Sequence, residues 1–372
     1  MDIVYLLADL RRVGPTSQTL NIINNNRRFS PRVVTLFDED PNDSMIAEYR
    51  ERGIEVYSAG LSRKLFLFQK LAKIKNLLGD PETTLIHGNG VKPDIFSAYR
   101  LKPLGYRVCS TIRNVPTEDL PGRMNSVLGA VVARIHVRAF SNMDYRVACS
   151  NTIASRLNDD FSLTMTVIQN GVNTGRFGYN PSVRDVIRRS LGIDQTAFLF
   201  VTTNSFIPRK RQGDLIEAYI SAFSDDSNVY LILLGEGDEV EKCRCAARGR
   251  KDILFLGKKD RVDRYLSASD CFVSGSSSEG LPNAVIEALD NGCNLILSDI
   301  PQHLEVAEEY PEWISVFKLG DTGLLASFMK NRAKRGNRER GFGPIRPGGV
   351  FSMERMASEY TNLYRDIEVK AF

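Results

Sequence analysis

Residues 276–289 read Ser276-Ser-Ser-Glu-Gly-Leu-Pro-Asn-Ala-Val-Ile-Glu-Ala-Leu289. Just before them, Cys271 to Gly275 has the pattern of a short buried strand, and just after, Asn294 to Asp299 predicts another. Pro282 suits the first helical turn, where its missing N–H loses no bond. Ala284 to Leu289 are good helix formers, and Gly292 can close the helix in a left-handed cap. The local order is strand, tight loop, helix, strand. A helix that starts at the carboxyl end of a parallel strand offers unpaired N–H groups and a positive dipole end to an anion.

Two carboxylates frame that anion site. Glu279 lies in the loop, and Glu287 lies about a turn and a half into the helix. A diphosphate on the N–H groups around Gly280, Leu281 and Asn283 would leave Glu279 to accept hydroxyls on one side and Glu287 on the other. A nucleotide-sugar has that layout: ribose, diphosphate, sugar. Taken alone, the spacing also fits a capped surface helix with two solvated glutamates. The full string Glu279-Gly-Leu-Pro-Asn-x-x-x-Glu287 strongly resembles the E-x7-E signature of the large retaining glycosyltransferase family 4. The next stretch, Ser298-Asp-Ile-Pro-Gln-His-Leu-Glu305, resembles the loop after the following strand in bacterial members that build surface polysaccharides.

That resemblance implies an α/β chain of GT-B architecture, with two Rossmann-like doubly wound domains facing a central cleft. The expected domains are 1–178 on the acceptor side and 179–350 on the nucleotide-sugar side, with 351–372 a helix returning to the first domain. A chain of 372 residues is long enough for two such cores. The net charge of +4 is mild, and no strongly basic segment with interleaved aromatics points to nucleic acid. Six scattered cysteines and three histidines leave Cys243-x-Cys245 without a second ligand pair, so no zinc site and reduced thiols are expected. Met1-Asp-Ile-Val-Tyr-Leu-Leu is a strand pattern rather than a signal peptide, and no apolar run is long enough for a spanning helix. The expected location is cytoplasmic.

The first half alternates between apolar runs and helical patterns. Strands are predicted at Ile3 to Leu7, Arg32 to Phe37, Glu55 to Ala59, Thr84 to His87, Arg107 to Thr111, Arg146 to Ser150 and Met165 to Gln169. The first strand-to-helix loop, Leu10-Arg-Arg-Val-Gly-Pro-Thr-Ser17, contains Gly14 but no G-x-G-x-x-G fingerprint. It reads as a plain turn or, by the resemblance, as the glycine loop over the donor phosphates. His87-Gly-Asn-Gly90 and Ser110-Thr-Ile-Arg-Asn114 end two strands and are expected to point into the ligand crevice. Many family members carry a histidine at the position of Arg113, where it contacts the donor sugar. An arginine there suits a phosphate or an acidic acceptor group, and His87 alone reads as structural. Two basic amphipathic stretches, 63–78 and 122–140, each fit a sheet-covering helix or peripheral contact with anionic membrane. In 63–78 the apolar stripe is Leu67, Leu71, Ile74 and Leu78, flanked by Lys70 and Lys73.

In the second half, Thr166 to Phe177 resembles the family's PNGVD…RF segment at the end of the first domain. Asn204-Ser-Phe-Ile-Pro-Arg-Lys-Arg-Gln-Gly213 follows a strand beginning at Phe198, and further strands are predicted at Tyr230, Ile253, Cys271 and Asn294. Arg209, Lys210 and Arg211 fit a solvated loop or a diphosphate contact. By the resemblance, Lys210 matches the phosphate-binding lysine. Its usual companion arginine is replaced by Ser205, with Arg209 or Arg211 as the available substitute. Gly235-Glu-Gly-Asp238 resembles the family's GDGP turn, and Phe255-Leu-Gly-Lys258 resembles the segment whose backbone reads the nucleobase. Residues 331–349 read as an exposed loop, and Phe351 to Tyr364 as an amphipathic helix.

The resemblance implies a metal-independent retaining glycosyltransferase with no cofactor. Its donor would be a nucleotide-sugar, with UDP the expected nucleotide, and its acceptor a lipid-linked oligosaccharide of capsule, O-antigen or exopolysaccharide. Lys210, Glu279 and Arg113 are the candidate catalytic residues. Gly14, Arg209, Gly235, Lys258, Gly280, Leu281, Asn283 and Glu287 are the candidate donor-binding set. A sugar-nucleotide epimerase of the same architecture and a non-catalytic nucleotide-sugar binder are the alternatives. Ser205 and Arg113 motivate the second.

Overall fold

A computed structural model describes residues 1–69, 71–121, 124–224, 228–336 and 341–371. The chain divides into two compact units, Met1–Gly171 with Met353–Phe372 and Val172–Ser352. The division falls at Gly171/Val172 rather than at 178/179. The reason is local: Val172 N–H donates to Phe351 O at 2.8 Å, and Asn291 holds Phe177 O at 2.6 Å, so the segment after Gly171 is bound into the second unit.

The first unit holds a parallel sheet of β1 (Asp2–Leu7), β2 (Arg32–Thr35), β3 (Glu55–Ser58), β4 (Thr84–Gly88), β5 (Arg107–Ile112), β6 (Tyr145–Ala148) and β7 (Thr166–Val167). Its order is β3-β2-β1-β4-β5-β6-β7. The reversal between β1 and β4 is the switch point at which doubly wound sheets bind ligands. Successive β1 side chains enter opposite layers: Ile3, Tyr5 and Leu7 pack on one face, and Val4 and Leu6 on the other. A strand buried on both faces must be apolar at every position, which is why the run is continuous.

The second unit repeats the plan with β8 (Phe198–Thr203), β9 (Val229–Leu234), β10 (Ile253–Gly257), β11 (Cys271–Ser274), β12 (Asn294–Ser298) and β13 (Ile314–Phe317). The order is β10-β9-β8-β11-β12-β13, all parallel. The edge strand β13 was not legible, because its pattern Ile-Ser-Val-Phe is short and only partly buried.

The C-terminal helix Met353–Ala371 belongs to the first unit, where Met356, Tyr360, Tyr364 and Ile367 enter the core. A buried polar chain ties it to the sheet. Tyr364 OH lies 2.8 Å from Tyr5 OH and 2.7 Å from His87 Nδ1; His87 Nε2 lies 2.8 Å from Thr111 Oγ1, which lies 2.8 Å from Tyr360 OH. Burial, with the Arg113 charge nearby, drives the imidazole down to about 3, so it is neutral. His87 and Thr111 therefore face the core and not the crevice expected for their strand ends.

Two further expectations change. In 63–78 only Ala72–Leu78 is helical, and Ile74 and Leu78 are fully buried with Leu67 and Leu71 packed against them. The stripe is core, while Leu65 and Phe68 of the same stretch are exposed; Lys70 and the Lys73 side chain lie outside the described residues. Residues 331–335 continue the helix Thr322–Arg335, residues 337–340 lie outside the described residues, and in the glycine-rich chain that follows Phe342 and Arg346 to Gly348 are exposed while Gly343 and Ile345 are buried. A Cβ at Gly343 would lie 2.1 Å from Leu289 O, and one at Gly292 would lie 2.1 Å from Gly341 O. Glycine there permits backbone contact, and Ile345 beside it is buried.

Tyr364→Phe keeps the ring but strands His87 Nδ1 and Tyr5 OH. The expected loss is about 1–3 kcal/mol of first-unit stability, read from urea unfolding; an unchanged midpoint would show that the hydroxyl chain is not needed.

Candidate active site

In the second unit, the loop after β8 carries three consecutive cations. Pro208–Lys210 forms one 3₁₀ turn, and Arg211 follows at φ 51°, which swings its side chain out of line with its neighbours. Lys210 Nζ pairs with Glu279 Oε1 and donates to Asn204 Oδ1 at 3.1 Å. Arg209 donates to Glu279 Oε2 at 3.1 Å and to Ser278 O at 2.6 Å. Arg211 turns to Asp214 at 2.7 Å instead. Of the two possible substitutes for the missing arginine at Ser205, Arg209 is the one beside Glu279. Ser277 N–H donates to Arg209 O at 2.8 Å, so the two loops are also joined through backbone.

Glu279 is 9% exposed. Burial alone would push its carboxyl up, but the Lys210 ammonium and Arg209 guanidinium outweigh it and hold the group at about 2. A carboxylate so weakly basic accepts hydrogen bonds and does not take protons. Two cations on one carboxylate leave one positive charge in excess.

The helix Asn283–Asp290 begins at Asn283, with Pro282 as the extended residue just before it. Gly280 and Leu281 are buried in the loop leading to it. Glu287 is half-buried on this helix. Burial pushes its carboxyl up to about 7, opposed by Arg176 and aided by the like charge of Asp263. Arg176 is itself anchored on Asp260 O at 2.9 Å, and Asp263 is gripped by Arg261 at 2.9 Å. Gly235, at φ 137°, packs where a Cβ would lie 2.1 Å from Asn204 O. That close approach requires glycine there. Lys258 is exposed just beyond β10.

His303 was not singled out in the sequence, although it lies in the quoted Ser298–Glu305 stretch. It is fully buried on the helix Pro301–Glu309. Its Nδ1 lies 3.1 Å from Ser298 O and 3.0 Å from Ser298 Oγ. Ser298 Oγ donates to Ser276 O at 2.6 Å, so Nδ1 must carry the ring proton. Burial pulls His303 down to about 4, and it feels both Glu279 and Lys210. A neutral imidazole thus braces the loop that carries Glu279. The available signal was scarcity: the chain has three histidines, and all three are buried.

Gly14 and Arg113 lie in the first unit. Gly14 starts the helix Gly14–Asn24 and is exposed. Arg113 follows β5 and is half-buried. Its Nε donates to Asn89 Oδ1 at 3.3 Å and its Nη1 to Asn170 Oδ1 at 2.9 Å. In the loop after β1, Asp9 is held by Arg11 and Arg63, each at 2.9 Å, a cluster that no motif announced.

Comparison with known proteins identifies the family. The family description Glycosyltransferase Family 4 matches residues 25–176, and Glycosyl transferases group 1 matches 183–324. An O-antigen biosynthesis glycosyltransferase of Escherichia coli, WclY, is 22% identical over 387 aligned positions, covering 99% of each chain. An E. coli UDP-Gal:alpha-D-GlcNAc-diphosphoundecaprenol alpha-1,3-galactosyltransferase is 28% identical over 144 positions, 37% of each chain. Among solved structures, Anabaena HepE in complex with UDP and glucose superposes with a TM-score of 0.81 at 16% identity, covering 98% of this chain and 100% of that one. With two Rossmann-like units of GT-B type, and both units matched by glycosyltransferase descriptions, the chain belongs to the family 4 and group 1 glycosyltransferases and is a transferase enzyme.

Proposed function

We propose that this enzyme moves a hexose or N-acetylhexosamine from a UDP-sugar to a lipid-linked saccharide in assembly of a bacterial surface polysaccharide, with retention and without a metal ion or cofactor. The observation that carries this reading is the convergence of Lys210 and Arg209 on Glu279 beside the start of the helix Asn283–Asp290. The two cations and the helix N–H groups would meet the charge that grows on the leaving diphosphate. Glu279, held ionised, would accept hydroxyls of the donor sugar, and Glu287 those of the ribose. Because Glu279 is too weak a base to deprotonate an acceptor, the leaving phosphate would take that proton on the face it leaves, which is the route to retention. The printed donor and acceptor of the E. coli galactosyltransferase support UDP and a lipid diphosphate as the substrate classes.

The lipid acceptor motivates a membrane contact at the cytoplasmic face. The helix Ser126–Ser141 supports it, within the 122–140 candidate; Gly122 and Arg123 of that stretch lie outside the described residues. Val127, Leu128, Val131 and Ile135 are 72%, 52%, 46% and 38% exposed along it, with Arg134 and Arg138 also exposed. An apolar stripe flanked by arginines suits the boundary of an anionic bilayer. Among the described residues no helix is long and apolar enough to cross a membrane.

Lys210→Ala is expected to lower turnover about 10²–10³-fold with a smaller change in donor KM. A fully active variant would reassign the charge to Arg209. Activity is expected to survive a chelator, and loss restored by divalent metal would refute the metal-free reading.

Glu287 sets a pH dependence. Protonation turns one of its two acceptor oxygens into a donor and removes the charge, so UDP-sugar affinity is expected to rise as pH passes upward through about 7. Stability of the free enzyme runs the other way. The folded state holds the extra proton between the ordinary 4.5 and about 7, so stability falls as pH rises through that window. Glu287→Gln should flatten both profiles, and titration calorimetry with thermal melts would show whether it does.

Val131→Asp is expected to weaken binding to phosphatidylglycerol-containing vesicles about tenfold without lowering thermal stability. Equal sedimentation of both proteins with such vesicles would remove this helix from the membrane contact.

A further inference from the structure

Several buried arginines of this chain face carboxylates, whereas the half-buried Arg146 spends its N–H groups on the backbone carbonyls of Phe140, Met143 and Thr164. Arg184 and Arg188 each reach Asp270 at 2.7 Å, and Arg250 meets Asp252 at 2.5 Å. Burying a guanidinium is tolerable when a counter-charge comes with it. Arg113 is arranged differently. Its two protein contacts are the amide oxygens of Asn89 and Asn170, and its Nη2 is buried with no hydrogen-bond partner. Among the described residues no carboxylate pairs with it. Asp9, the buried carboxylate in the loop after β1, is already taken by Arg11 and Arg63. The clamp is itself secured: Asn89 Nδ2 donates to Thr19 Oγ1 at 2.6 Å, and Asn170 is buried.

Amides orient a guanidinium without neutralising it. The result is a half-buried cation at a strand's carboxyl end, fixed in direction, with charge and an N–H edge unspent. That is how a protein prepares for an oxyanion that arrives with a ligand, because a fork-shaped donor matches carboxylate and phosphate geometry. We propose that Arg113 binds an oxyanion carried by a substrate of the transfer reaction. The proposal rests on the transferase reading above. The shared chemistry has three sources: the donor diphosphate, a carboxylate on the donor sugar, or a phosphate on the acceptor.

The test uses the full chain, with UDP-glucose and UDP-glucuronate as donors. The acceptors are an alkyl saccharide diphosphate and the same saccharide as a neutral alkyl glycoside. Two variants are compared with the wild type. Arg113→Gln removes the charge. Asn170→Asp keeps the hydrogen bond but supplies an internal counter-ion, which would strengthen a structural arginine and block an anion-binding one. The expected result is that both variants raise KM by about thirty-fold or more for the substrate bearing the oxyanion. A rise for both donors assigns the donor diphosphate. A rise confined to UDP-glucuronate assigns the sugar carboxylate, and one confined to the diphosphate acceptor assigns the acceptor phosphate. The proposal is overturned if every KM stays within about two-fold in both variants, or if Arg113→Gln weakens binding and Asn170→Asp does not. If the wild type turns over none of the pairs, the chosen substrates are at fault. Calorimetric affinities of the same four compounds then decide Arg113: equal values in wild type and both variants overturn it.

Discussion

The loops at the carboxyl ends of β8 and β11 depend on one buried carboxylate held between two cations. Desolvating Glu279, Lys210 and Arg209 together is costly and is offset only when the geometry is tight and the remaining polar atoms are satisfied. Asn204 Oδ1 accepts from Lys210 and Ser278 O from Arg209. The ion cluster therefore joins the loop after β8 to the loop after β11, two segments nearly seventy residues apart. It leaves an excess positive charge where a leaving diphosphate would need it. Gly235 and Gly237 make the closure possible, because Asn204 and Phe206 carbonyls occupy the space a Cβ would need.

Buried polarity takes more than one form in this chain. In the first unit, hydroxyls and a neutral imidazole form a chain from Tyr5 through Tyr364, His87 and Thr111 to Tyr360, which registers the C-terminal helix on the sheet without burying a charge. In the second, Arg184 and Arg188 meet on Asp270, an ionic contact between two buried segments. Arg113 belongs to neither pattern. Its amide clamp spends orientation and keeps charge, which is the property a ligand site requires and a structural contact does not.

Much of the fold was legible. The alternation of apolar runs with helical patterns predicted both parallel sheets, because a strand covered on both faces leaves no polar position to interrupt the run. The edge strand β13 escaped for the converse reason: partly buried, it carries a mixed pattern. The Glu279–Glu287 string was legible because the loop and helix that use it are contiguous in sequence. His303 was not, since its meaning comes from Ser298 and Ser276 on neighbouring strand ends.

By itself, the sequence determined what depends on near neighbours: the order of strands and helices, the glycine and proline punctuation, and the spacing of two glutamates about a helix start. Tertiary structure alone decided the partners of charged and polar side chains. It selected Arg209 over Arg211 for Glu279, turned the 63–78 stripe inward, drew His87 into the core, and set Arg113 between two asparagines. Each of those outcomes is a contact between residues far apart along the chain, and local propensity carries no information about which distant side chain will arrive.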